Sequence, residues 1–167
     1  LVRDLPERLP EGLWCYRVSH DRALVGGALN DVGRAMAWTA SSLALNRSSD
    51  DNTEGVAAAT LAAALEREPT PATPLVLPFF TGERSTGWAA NARTVFTGVD
   101  ASTDGAAMAR GVVEGIAISY WRILAQLREL APEASALHIG GAVAAGDPPG
   151  VPALPGPPPP PPPPGPR

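Results

Sequence analysis

The sequence predicts an α/β domain followed by a low-complexity tail, and three observations carry this. Short runs of strand formers alternate with helix-like segments between residues 12 and 139. The longest helical segment, residues 104–130, repeats apolar side chains at helical spacing. Beyond Ala142 the composition turns abruptly to proline. At 167 residues the chain has room for one domain with a real core, and its 44% apolar and 18% charged residues are those of an ordinary globular protein.

Residues 12–18 are rich in strand formers, and Ala23-Leu24-Val25 offers a second short strand. The polar Ser19-His20-Asp21-Arg22 between them reads as a hairpin turn. Gly26-Gly27 breaks the pattern before a helix predicted from about Asp31 to Leu45, with Asn30 or Asp31 as its cap and Val32, Met36, Trp38 and Leu43 as apolar surface. A polar linker over residues 46–52 leads to a second, Ala-rich helix, about Thr53 to Glu68, which Pro69-Thr70-Pro71 stops. Leu75-Val76-Leu77 and Thr94 to Gly98 are strand candidates. In the long helix Met108, Val112, Ile116, Ile123 and Leu127 form one face. Gly105 and Gly111 within it predict close packing, since glycine otherwise weakens a helix by about 1 kcal/mol relative to alanine. Ser135 to Ile139 reads as a last strand, closed by Gly140-Gly141.

Thirteen of the 20 prolines lie between Pro148 and Arg167, eight of them in the run Pro157–Pro164. Such a run favours polyproline II or disorder and does not extend a core. The formal net charge is −4 and lysine is absent, so arginine carries all the formal positive charge. No basic patch for nucleic acid is implied. The single cysteine, Cys15, excludes an internal disulfide framework and a cysteine zinc cluster, and its neighbours make it a small strand residue. No apolar run approaches the roughly 20 residues a membrane helix needs, and no signal pattern opens the chain. A cytoplasmic soluble protein with no membrane partner is the expectation.

The motif Pro78-Phe79-Phe80-Thr81-Gly82-Glu83-Arg84-Ser85, then Arg93-Thr94-Val95-Phe96-Thr97-Gly98-Val99, then Met108 to Gly115, resembles the C-terminal domain of the FGGY family of carbohydrate kinases. Val25-Gly26-Gly27-Ala28-Leu29-Asn30 precedes it in the same order. The chain departs from the family pattern at Thr94 (usually Gly, Ser or Ala), Ala107 (usually polar) and Gly111 (usually Ala or Ser). Leu13 to Val18 together with Val25 to Leu29 is most similar to the gluconokinase branch, with xylulose and glycerol branches as alternatives. The resemblance implies a three-layer α/β domain of the ribonuclease-H-like, actin-like ATPase type, incomplete at both ends. It divides the chain into an N-terminal extension at 1–10, a partial nucleotide-side domain at 11–142 and a Pro-rich disordered tail at 143–167.

The resemblance also implies function: ATP-dependent phosphorylation of a sugar or sugar acid, gluconate favoured, with Mg²⁺ accompanying ATP. Gly33, with Trp38 five residues on, matches the family's helix segment beside the adenine nucleotide. Ala37 stands there where many relatives carry Gln. Gly140 and Gly141 match the family's turn that approaches the nucleotide, a place where glycine lets backbone N–H groups come close to a ligand. The family's catalytic Asp lies upstream of the region represented here, so no residue of this chain takes that role. A partner N-terminal kinase domain is implied, and the chain by itself is expected to be inactive and aggregation-prone. The departure near residue 142 predicts a shifted reading frame or a misplaced gene end.

Other polar residues carry structural expectations. Glu83 and Arg84 are expected in an internal salt bridge, and His138 in the core or at a strand edge. His20 lies in a turn, Asp50-Asp51 in a solvated loop, and Glu114 faces either the interior or solvent. Gly26-Gly27 lacks the Lys-Ser/Thr of a P-loop. A second function class is a non-catalytic α/β remnant whose proline tail binds SH3- or WW-type modules.

Overall fold

The computed structural model describes residues 2, 5–30, 32–43, 62, 65–66 and 68–134. It opens with a hairpin of β1 (Trp14–Ser19) and β2 (Arg22–Gly26), paired antiparallel with Trp14 opposite Gly26 and Tyr16 opposite Leu24. Polar residues close the turn as their chemistry suggests: Ser19 Oγ donates to Asp21 Oδ1 at 2.6 Å and Arg17 Nη1 to the His20 carbonyl at 2.9 Å. The register slips between Arg17 and Ser19. On its other edge β2 exchanges two 2.9 Å backbone bonds with Val2, which buries Ala23.

Helix α1 (Val32–Ser42) follows, ending three residues earlier than the predicted Leu45. It buries Ala35 and Thr39, and the Thr39 hydroxyl donates to the Ala35 carbonyl at 2.7 Å, so no polar atom is stranded there. The expected cap Asn30 is used differently: its side-chain Nδ2 donates to the carbonyls of Thr81 and Gly82. Most of the helix predicted at 53–68, the strand at 135–139 and the tail from 143 lie outside the described residues.

Strands β3 (Leu75–Leu77) and β4 (Val95–Thr97) pair antiparallel, with Val76 opposite Phe96. Helix α2 (Gly105–Leu130) begins where predicted, because the Asp104 carboxylate caps it by accepting from the Ala107 N–H at 2.7 Å. It ends with the Ala131 N–H returning to the Leu127 carbonyl at 3.0 Å, just before Pro132.

The core lies where α2 and α1 meet β3: Ala35, Val76, Val112 and Ile116 are buried, with Val32, Met36, Phe80 and Phe96 packed around them. The apolar stripe of α2 is centred on small residues. Ala109, Gly111 and Gly115 are buried, whereas Met108 and Leu127 at its flanks are half-buried. The close packing expected at Gly111 is real. A Cβ there would stand 2.5 Å from the Pro74 carbonyl oxygen, and one at Gly115 would strike the Val76 carbonyl. Toward its C-terminal end α2 meets the hairpin base, with Ile123 against Gly27 and Gln126 Nε2 donating to the Glu11 carbonyl at 2.7 Å.

Among the described residues the strands form two separate two-stranded sheets, so the arrangement is a partial α/β fragment, in keeping with the incomplete domain expected. The face of β3–β4 turned away from α2 is open, with Leu75 60% and Val95 47% exposed. Among the described residues no helix is long and apolar enough to cross a membrane.

Candidate nucleotide-facing site

Two sequence motifs far apart in the chain are locked together at the start of α1. Ser85 is buried, and its Oγ accepts the Ala28 N–H at 2.9 Å while its own N–H donates to the Ala28 carbonyl at 2.9 Å. With Asn30 reaching Thr81 and Gly82, this reciprocal pair binds the Gly82-Glu83-Arg84-Ser85 loop to the segment that aims α1. Gly82 sits at φ 95°, a conformation open to glycine, and a side chain there would collide with the Ala90 carbonyl. The loop is thereby folded back on itself through the Glu83 N–H to Ala89 carbonyl bond at 2.9 Å.

Glu83 makes the internal salt bridge expected of it, but with Arg122 of α2 (3.6 Å) and not with its neighbour Arg84. Its side chain is only 11% exposed and packs against Gly87, where any Cβ would meet its carboxylate. Arg84 turns outward over the Trp88 ring, 5.9 Å from its centroid. Glu114, for which sequence left both directions open, pairs with Arg110 one turn back at 2.7 Å. Sequence reasoning missed Arg122, because its only link to Glu83 is the packing of α2 over the loop.

The structure places Gly33 and Ala37 one helical turn apart on the exposed face of α1. A Cβ added at Gly33 would meet nothing within 4 Å, so this face is open. Trp38 beside them is 41% exposed, its ring centroid 4.9 Å from Phe80, which ties the helix surface to the Pro78–Phe80 approach. Gly140 and Gly141, the other two positions for which the resemblance implies nucleotide contact, lie outside the described residues, as do His138 and the Asp50-Asp51 pair. His20 is in the hairpin turn as expected, with its side chain 94% exposed.

A small cavity of about 20 Å³ lies between Asn30, Val32, Glu83, Ser85 and Ile116, and another of about 90 Å³ lies at the start of α2 between Thr70, Thr73, Ser102, Asp104 and Arg110. The described residues offer an open face and a bracket behind it. Among them no group of three His, Cys, Asp or Glu side chains could hold a metal ion.

The family described as the FGGY family of carbohydrate kinases, C-terminal domain, matches residues 10–147, and the chain belongs to it. Among solved structures it is similar to the ligand-bound xylulose kinase of Lactobacillus acidophilus, with 25% identity and a TM-score of 0.60 over 75% of this chain and 24% of that one. The gluconate kinase of the same organism matches at 27% identity and a TM-score of 0.56, over 70% of this chain and 22% of that one. The glycerol kinase of Plasmodium falciparum, solved with ADP, is 20% identical at a TM-score of 0.54 over 70% of this chain and 21% of that one, and shows the fold alone. The chain thus spans about a quarter of the length of the kinases it resembles. Among curated protein sequences none matches it.

Proposed function

We propose that this chain is the nucleotide-side lobe of an ATP-dependent kinase for a sugar or sugar acid, and that it needs a second lobe for turnover. The observation that carries the reading is the Ser85–Ala28 bracket, which fixes the direction of α1 and presents Gly33 and Ala37 on a clear face. Small side chains there leave room for a flat ring to lie along the helix. ATP fits that face; Gly33 and Ala37 would flank its adenine, and the nucleotide supplies the phosphoryl group. With Ala37 in place of an amide side chain, base recognition rests on contact and not on a hydrogen bond from this position.

Gly140 and Gly141 complete the proposed site as the turn toward the phosphates. Mg²⁺ usually keeps several waters and is held by nucleotide phosphates plus one or two carboxylates. The base that orients the sugar hydroxyl is assigned to the other lobe. Gluconate is the substrate favoured by the residues Leu13 to Val18 and Val25 to Leu29, and the similarity to a gluconate kinase supports it; that to xylulose kinase supports the alternative.

Isothermal titration of the chain with ADP tests the reading. Saturable binding that weakens on Gly33→Val is the expected result. No binding of ADP by the folded chain would overturn it, and phosphorylation of gluconate by the chain alone would overturn the need for a second lobe.

A further inference from the structure

The side of α2 turned away from β3 takes no part in the site above. The packed side carries the buried Val112, Ile116 and Ile123. About 140–180° round the helix axis from them stands Trp121, which is 47% exposed. Three residues to either side of it come Ile118 and Leu124, and four to either side Ala117 and Ala125. Seven residues to either side come Glu114 and Arg128. At about 100° per residue all six lie within about 60° of Trp121, so they form one stripe about 21 Å long. Ile118 is 49% exposed and Arg128 is exposed, while the two alanines and Leu124 are half-buried.

The stripe is symmetrical about Trp121 in the size of its apolar side chains and opposite in charge at its two ends. A second α2 laid antiparallel, with the two Trp121 rings side by side, brings Ile118 against Leu124 and Ala117 against Ala125. The same alignment brings Glu114 against Arg128, and every one of these contacts is made twice. We propose that this stripe joins two copies of the chain about a twofold axis that passes between their Trp121 side chains.

Three features make a second copy the occupant. The first is charge. Glu114, 41% exposed, spends Oε1 on Arg110 Nε at 2.7 Å and keeps its other oxygen for a further donor. Arg128, in the last turn, has no ion-pair partner among the described residues. Each helix thus brings one charge of each sign, and only an antiparallel copy sets unlike charges opposite. A parallel pair in register would set Glu114 on Glu114 and Arg128 on Arg128. The second is shape. Ala117 and Ala125 lie a turn before and after Trp121, so the helix axes can come close and the partner's indole has a place between small side chains. Tryptophan is also the side chain most often dominant at such contacts. The third is closure. An antiparallel pair opposes the two helix dipoles, and a contact between identical patches ends at two copies. This inference is independent of the nucleotide reading, since Gly33 and Ala37 lie on α1.

Sedimentation equilibrium of the full chain over a series of concentrations is the test. The unchanged chain should give a monomer–dimer equilibrium. Trp121→Gln, at an exposed position that tolerates polarity, should weaken the dimer at least about tenfold. Glu114→Arg and Arg128→Glu, made separately, should each weaken self-association at least about tenfold, because each sets like charges opposite one another twice. An equimolar mixture of these two variants should regain the dimer, since both end contacts of the mixed pair are again between unlike charges. Circular dichroism matching that of the unchanged chain shows that each variant is folded. A chain that stays monomeric at every concentration overturns the proposal and gives the stripe to a different partner. A folded Trp121→Gln chain that associates like its parent overturns it too, as does a mixture that associates no more tightly than either variant alone.

Discussion

Replacing Gly111 by alanine sets two physical effects against each other, and the structure decides which wins. Inside a helix, Gly→Ala gains about 1 kcal/mol of propensity, and alanine is also a usual residue of the family at this position. Sequence considerations therefore predict a more stable protein. The packing predicts the opposite. The new Cβ would stand 2.5 Å from the Pro74 carbonyl oxygen and 2.9 Å from Val76 Cγ2, against a comfortable separation of about 3.5–4.0 Å between carbons. Neither neighbour is the free end of a flexible chain. Pro74 leads into β3, and Val76 is buried and paired with Phe96. Relief requires α2 to move off the sheet and loosen Val112 and Ile116. Overpacking of this kind costs about 1–3 kcal/mol, and a backbone obstacle puts the cost in the upper half of that range. The net effect is a loss of about 1–2 kcal/mol, or a Tm lower by roughly 3–10 °C for a domain of this size. A thermal melt by circular dichroism, repeated in urea, measures it. A Tm equal to or above that of the parent would refute the packing argument.

Gly33→Ala makes the same chemical change on α1 where nothing lies within 4 Å, so it should raise stability by about 0.5–1 kcal/mol. ADP affinity, measured by titration, should fall at the same time if the α1 face holds the nucleotide. Ser85→Ala removes the acceptor of the Ala28 N–H and should cost about 1–3 kcal/mol; hydrogen exchange of the Ala28 amide should quicken, and unchanged exchange would refute the bracket. The Asp100 carboxyl is held below its ordinary value of 3.8, first by the Ser102 hydroxyl, then by the Ser102 backbone N–H, with Thr103 adding a lesser pull. A lowered folded value means its contribution is complete above the unfolded pKa and is lost as pH falls through the folded one. A carboxyl NMR titration should give a midpoint below 3.8 that rises in Ser102→Ala, and a midpoint at or above 3.8 contradicts the assignment.

What could be read in advance was whatever depends on near neighbours in sequence. The hairpin followed from two strand-forming runs around a polar turn. The long helix followed from its apolar spacing and from Asp104, whose carboxylate caps it three residues before Ala107. That Gly33 and Ala37 share one side of α1 was also legible, since they are a helical turn apart whatever surrounds them; that this side is open came from the structure. Helix ends were less so. α1 stops at Ser42 although Leu43 continues the apolar pattern, because helix termination depends on local hydrogen bonding that the spacing does not encode.

The order of motifs, by itself, determined that this chain forms strands and helices of an FGGY C-terminal domain. Tertiary structure alone decided the partners. Glu83 has an arginine next to it in sequence, yet it pairs with Arg122, because the tight turn at Gly82 directs its carboxylate under α2 and turns Arg84 out to Trp88. Ser85 and Ala28 meet only because α2 holds both the loop and the end of the hairpin against its own length. A sequence specifies local conformation through torsional preference and periodicity. Which distant groups share one buried space is set by packing, where every contact depends on all the others at once.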